Sequence, residues 1–302
     1  MPLPLVVWNH KDLFYPYLPA GSVYSPYTRK WPYTFPNRVL WKLRLRRPFE
    51  YPQWIRTLRR GEKVLFLDGG LVDPGYLKLL LPYREQMIVF MWNMVSANQQ
   101  FIIDQRDKLN IYSHDRSDCQ RYGLKFNSTF YCRPPEGSIV PADKAHDIVF
   151  IGAAKNRMAS IAAFHQKLRP FDRLFHIFCP TATMEATQKE AGELKLHTQF
   201  MPYATYLGHI VRCKAIHEIM QHGQDSLTLR VMESLFFRKK LITTYQNIVN
   251  EDFYNPANIM VVSHPDELEE SRVRQFIESD YVDVDPQIVQ SYEYQNWIRR
   301  FE

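Results

Sequence analysis

The chain has 302 residues, 45% hydrophobic and 23% charged, enough apolar content for a sizeable core and enough charge for an ordinary surface. No stretch of about eighteen uninterrupted apolar residues occurs, so no membrane-spanning helix is expected. The net charge of +6 favours anionic partners such as nucleotide sugars, phospholipid headgroups or nucleic acid.

The first residues, MPLPLVVWNHKD, lack the basic leader, long apolar segment and small-residue cleavage site of a signal peptide. Cys119, Cys132, Cys179 and Cys213 lie far apart without a CxxC pair and read as reduced thiols of a cytoplasmic protein. Residues 1–60 show little regular structure, because Pro16, Pro19, Pro26, Pro32 and Pro36 interrupt any long element. Within them Arg44, Arg46, Arg47, Arg56, Arg59 and Arg60 crowd beside Trp41, Phe49, Tyr51 and Trp54. Such a mixture suits peripheral contact with an anionic inner membrane, or a plain solvated face whose aromatics pack inward. Nucleic acid is not expected, since no familiar motif for it is present.

From Glu62 a βα rhythm begins, with strands expected over Lys63–Asp68, Gln86–Trp92 and Asn110–His114 and a short helix around Tyr76–Leu81. Runs this apolar imply a sheet covered on both faces. Arg133–Lys144 concentrates Pro, Gly and charge and reads as a linker between residues 1–140 and 141–302. The rhythm restarts with strands at His146–Gly152, Leu174–Cys179, Lys214–Met220, Leu241–Thr244 and Ile259–Val262, and a helix at Met158–Leu168. Helices over Asp266–Ser279 and Pro286–Phe301 close the chain. The expected fold is α/β: two Rossmann-like βα domains facing across a ligand cleft, with a C-terminal helix.

One unit, Gly223–Asn255, carries most of the chemistry. Ser226 reads as the N-cap of a helix over Leu227–Phe237, whose Val231, Met232, Leu235 and Phe236 share a buried face. Lys239 and Lys240 close it, and a buried strand follows. Free N–H groups at such a helix start, at the edge of a parallel sheet, form a ready site for a diphosphate. Thr228 adds an amide and a hydroxyl there. Gly152 ends a strand ahead of Lys155 and Arg157, so backbone can approach a phosphate while two cations neutralise its charge.

Several phrases together resemble the bacterial GT-B glycosyltransferases of lipopolysaccharide and capsule biosynthesis. They are FIGAAKNR, YATYLGHIVRCKAIHEI and GQDSLTLRVMESLFFRKKLITT running into DFYNPANI, with FMWNMV and YSHDRSDCQRYGLKFNSTFY before them. The likeness spans about Lys63 to Val262. It implies transfer of a sugar from a nucleotide-diphosphate donor to a saccharide or lipid-linked acceptor, without a cofactor. Glu233 matches the acid that holds the ribose hydroxyls; paired with Arg230 on the surface, it would do no more than support the helix. Arg230 either reaches the diphosphate or pairs with Glu233. Thr243, Thr244 and Asn247 follow the next strand, where Asn247 also suits a plain turn.

An inverting transfer needs a base, which the family draws from its N-terminal domain. Asp68, before Gly69-Gly70, is preferred; His114 and Asp115 are the rival pair, and His10 is more distant. A retaining transfer needs none of them. Metal chemistry is not expected, since the one DxD pattern, Asp283 and Asp285, lies in the tail and His and Cys are scattered. Two other functions share such a fold: a non-catalytic nucleotide-sugar-binding assembly protein and a nucleotide-sugar epimerase.

Overall fold

The protein is seen here as a computed structural model that describes residues 3–8, 17–18, 23–26, 54–67, 71 and 73–301. It divides into two units, Met1–Ser128 with Trp297–Glu302, and Thr129–Asn296.

In the first unit six parallel strands lie in the order β2-β1-β3-β4-β5-β6: β1 (Leu5–Val7), β2 (Val23–Tyr24), β3 (Val64–Leu67), β4 (Met87–Met91), β5 (Asn110–Ser113) and β6 (Lys125–Phe126). β3 and β4 are buried along their whole length, as strands covered on both faces must be. Register aligns Phe66 with Val89 and Val89 with Ile111. One core gathers Val7, Trp54, Leu58, Phe66, Leu77, Val89 and Ile111. Phe90 also meets Trp297, edge to face, with ring centroids 4.9 Å apart. Trp297 is fully buried and its indole N–H donates to the Ser128 carbonyl at 2.6 Å.

The N-terminal residues hold more order than their prolines suggest, because β1 and β2 pair beside β3 and Ile55–Arg59 is helical. Trp54 is core: it donates to the Ser25 carbonyl at 3.0 Å and packs edge-on against Phe66. Arg44, Arg46, Arg47, Trp41, Phe49 and Tyr51 lie outside the described residues, as do His10 and Asp68.

In the second unit the strands are β7 (Ile148–Ala153), β8 (Arg173–Phe178), β9 (Leu196–His197), β10 (Ala215–Glu218), β11 (Lys240–Thr243) and β12 (Ile259–Val261), ordered β12-β11-β10-β7-β8-β9 and all parallel. The helices Met158–Lys167, Tyr203–Arg212 and Leu229–Phe236 connect them. Phe150, Ile161, Phe164, Ile177, Ile242 and Val273 form the core.

The Arg133–Lys144 segment lies within the second unit, downstream of the division at Ser128. Tyr131 explains this: it is fully buried, its amide donates to Tyr292 at 2.8 Å, and its carbonyl accepts from Tyr294 at 2.9 Å. Gly208 then lies against the backbone of Val140 and Ala142, and the Ala142 amide donates to its carbonyl at 3.0 Å. The expected closing helix is broken into Pro286–Ser291, Tyr294–Trp297 and a 3-10 turn at Ile298–Arg300. Lys240 is the first residue of β11, not part of a basic turn. Its buried ammonium donates to the Ala257 carbonyl at 2.6 Å, the Asp280 carbonyl at 2.7 Å and the Ser279 hydroxyl at 3.0 Å.

Candidate functional site

The strand order of the second sheet reverses between β7 and β10, so their carboxyl ends leave a crevice without a connecting loop. The sequence places Gly152, Lys155 and Arg157 after the apolar part of β7, and Glu218 ends β10. Arg230 joins them from the Leu229–Phe236 helix. Its Nε and Nη2 donate to the Ile151 carbonyl at 3.2 and 2.8 Å. A Cβ at Gly152 would collide with Nη2 of Arg230 and stand 3.3 Å from its Cζ and 3.5 Å from Arg157 Nη2. Glycine is thus required here to seat a guanidinium.

Arg157 is buried, and its Nη1 and Nη2 donate to the carbonyls of Ile219 and Ala153, the latter at 3.2 Å. It therefore ties the end of β7 to the residue after β10. Its Nε is buried and has no acceptor among the described residues. Both guanidinium groups lie over the Phe150 ring, with Cζ 5.6 Å from its centroid for Arg157 and 5.2 Å for Arg230. Burial, then the Arg230 charge, pulls Arg157 down to about 9. Lys155 is exposed and held at φ +46°, a left-handed conformation that costs a non-glycine residue about 1 kcal/mol. Partial desolvation, followed by the charges of Arg157 and Arg230, lowers its pKa. None of these three cations forms an ion pair with a carboxylate among the described residues. Like charges crowded without a close ion-pair partner favour the binding of an anion.

The helix begins two residues later than expected. Thr228 is its N-cap, while Ser226 is buried and accepts from the Gln224 amide at 3.1 Å. Leu227 is buried ahead of the helix. The Thr228 hydroxyl does not cap; it donates to Glu218. Glu218 is fully buried and its other oxygen accepts from Thr243 at 2.8 Å. Burial raises its pKa against the opposing pull of Thr228, Arg230, Thr243 and Arg157.

Glu233, matched to the acid that holds the ribose hydroxyls, is fully buried, which excludes the alternative of a surface residue beside Arg230. Its carboxylate accepts from the Tyr203 hydroxyl at 2.9 Å and from the Tyr206 hydroxyl, and no ion pair joins it to Arg230. Tyr203 in turn meets Tyr131, hydroxyl to hydroxyl, at 3.2 Å. Desolvation carries Glu233 up to about 8 despite the tyrosine bonds and the Arg230 charge. As placed, both its oxygens are turned to tyrosines. Asn247 serves the turn: its amide donates to Asp225 at 2.9 Å, and Tyr245 donates to the same oxygen at 3.1 Å. Thr244 accepts the Met220 amide at 2.8 Å.

Of the residues suggested as a base, Asp68 lies outside the described ones. His114 and Asp115 are buried. Asp115 caps the Arg116–Tyr122 helix by accepting the Asp118 amide at 3.0 Å, and His114 Nδ1 sits 3.1 Å from the Met91 carbonyl. These contacts are structural ones.

Sequence reading missed Glu218, Tyr203 and Tyr206. A carboxylate near the end of the expected strand Lys214–Met220 was the available signal for Glu218, because ligands gather at strand carboxyl ends. Tyr203 and Tyr206 stand one turn apart on a helix, but their partner is another helix and no spacing reveals it.

No protein-family model matches the chain, and no curated protein matches it. Among solved structures it is similar to AviGT4, a glycosyltransferase involved in avilamycin A biosynthesis, with 11% identity and a TM-score of 0.54 over 99% of this chain and 96% of the other. HepE of Anabaena, in complex with UDP and glucose, is similar over 92% of this chain and 83% of its own, with 9% identity and a TM-score of 0.49. Two parallel α/β units over nearly the full length of AviGT4 give this chain a fold of the GT-B glycosyltransferase type.

Proposed function

We propose that the protein is a glycosyltransferase that takes a sugar from a nucleotide-diphosphate donor and passes it to a saccharide or lipid-linked acceptor in cell-surface polysaccharide biosynthesis. The observation that supports this most is the group Lys155, Arg157 and Arg230, unpaired with any described carboxylate and set at the point where strand order reverses. In the transfer, the bond from the sugar's anomeric carbon to the diphosphate breaks and its electron pair leaves with the diphosphate. The bond to the acceptor oxygen forms as that oxygen loses its proton. The cations and the open amides of the Leu229–Phe236 helix would stabilise the departing charge.

For an inverting transfer we propose Asp68, directly after β3, as the base that receives the acceptor proton. The basic and aromatic residues between Trp41 and Arg60, apart from the buried Trp54, are proposed to rest on the anionic leaflet where a lipid-linked acceptor is found; no helix among the described residues is long and apolar enough to cross a membrane.

Isothermal titration with a panel of nucleoside diphosphates, followed by donor-hydrolysis assays on the sugar forms, tests the reading. Binding of at least one nucleotide, lost in Arg157→Met and Arg230→Met, is the expected result. No binding by any nucleotide sinks it. Tight binding with no turnover of any donor would favour an assembly protein, and release of an epimerised sugar nucleotide without acceptor would identify an epimerase.

A further inference from the structure

An N-cap threonine ordinarily turns its oxygen back onto the second or third amide of its own helix, a bond whose loss costs about 1 kcal/mol. Thr228 has the extended backbone of an N-cap, with φ −94° and ψ 171°, yet makes no such bond. Its hydroxyl points instead to the Glu218 carboxylate. The amides of Leu229, Arg230 and Val231 consequently meet no side-chain acceptor among the described residues. The helix's own Arg230 meets Arg157 at Gly152, where a Cβ would touch both guanidinium groups, and the buried Nε of Arg157 also has no acceptor among those residues.

Glu218 is an unexpected residue for this place. A fully buried carboxylate carries a large desolvation cost, and this one has no ion pair among the described residues to offset it. Two hydroxyls, Thr228 and Thr243, hold it from the helix start and from the end of β11. The charged groups that act on it are Arg157 from the end of β7 and Arg230 from the helix, with the Glu233 carboxyl also coupled to it. A negative charge beside an anion site weakens anion binding by Coulomb's law. Its benefit must then be geometric.

We propose that Glu218 is a positioning residue for diphosphate binding, holding the Thr228 hydroxyl so that the first amides of the Leu229–Phe236 helix stay open to the ligand. This rests on the diphosphate reading above. Without Glu218 the Thr228 oxygen rotates back onto its own helix and occupies the donors a phosphate would use.

The experiment titrates the full chain with inorganic pyrophosphate, using wild type, Glu218→Leu, Thr228→Val and the double variant. Glu218→Leu should bind at least about tenfold more weakly, the worth of one charge-assisted hydrogen bond. Thr228→Val alone should stay within about threefold of wild type. In the double variant the interfering hydroxyl is gone, so affinity should return to the wild-type level. That restoration separates the proposal from a merely structural role, in which two substitutions in one buried cluster do not repair each other. Unchanged or tighter binding by Glu218→Leu, or a double variant as weak as Glu218→Leu, overturns it. Should Glu218→Leu fail to fold, Glu218→Gln decides, because it keeps an acceptor for Thr228 and removes the charge. Affinity equal to or above that of wild type supports the proposal, because the geometry is kept and the opposing charge is gone, and a fall beyond about threefold overturns it. Failure of the wild type to bind pyrophosphate or any nucleoside diphosphate removes the diphosphate reading together with this one.

Discussion

Glu233→Gln should make the protein less sensitive to pH. Glu233 is fully buried, and desolvation raises its carboxyl from 4.5 to about 8. Between those values the folded protein holds a proton that the unfolded chain has released. Because the folded pKa is the higher one, the associated stability is fully present below pH 4.5 and is lost as pH rises through about 8. Each pH unit in that window is worth about 1.4 kcal/mol, and the full interval at most about 5 kcal/mol. Glutamine keeps the shape and the hydrogen-bonding capacity toward Tyr203 and Tyr206 but does not titrate. Urea unfolding from pH 5 to 8.5 would measure the contrast. The variant should match wild type near pH 5 and exceed it by several kcal/mol at pH 8.5. Equal pH slopes for the two proteins, or a wild type that gains on the variant as pH rises, would refute an uncharged Glu233 at neutral pH.

Gly152→Ala should spare the fold and damage the site. The methyl meets the far end of the Arg230 side chain, which can move, so stability should fall by no more than about 1 kcal/mol, while loss of the guanidinium position should weaken nucleotide or pyrophosphate binding about tenfold or more in titration calorimetry. Arg157→Met removes a buried cation with an unsatisfied Nε but also its bonds to the Ile219 and Ala153 carbonyls, so unfolding should show a loss of about 1–3 kcal/mol, and pyrophosphate affinity should drop at least about tenfold. Trp297→Ala empties a fully buried position against Phe90 and Phe301 and removes the donor to Ser128, so chemical denaturation should show a loss of about 3–5 kcal/mol.

Much of the second sheet was legible because its strands advertise themselves. Ile148–Ala153, Ala215–Glu218 and Lys240–Thr243 are short, each holds at least two adjacent apolar residues, and helices space them. A covered parallel strand needs no partner-specific pattern to be recognised. The short edge strands β6 and β9 were missed because two residues carry no periodicity. β1 was missed because its Leu-Val-Val run sits among prolines, and the neighbours that stabilise it, β2 and β3, lie 16 or more residues away in sequence. The start of the helix after β10 was misplaced for a local reason. Ser226 and Thr228 are both good caps by type, and the choice between them was made by Glu218 and Gln224.

The sequence by itself determined that this chain alternates strands and helices in two halves, and that glycine and basic residues follow one strand while a helix start follows another. Those facts are local, set by apolar periodicity and by what each residue's backbone allows. Tertiary structure alone decided that Arg230 seats against Gly152, that Arg157 bridges the ends of β7 and β10, and that Glu218 draws away the Thr228 hydroxyl. It also decided that Glu233, one helical turn past Arg230, turns inward to two tyrosines rather than outward. The difference is physical. Periodicity fixes which face of an element is buried, whereas the partner of a buried charge depends on strand order and register between segments far apart in the chain.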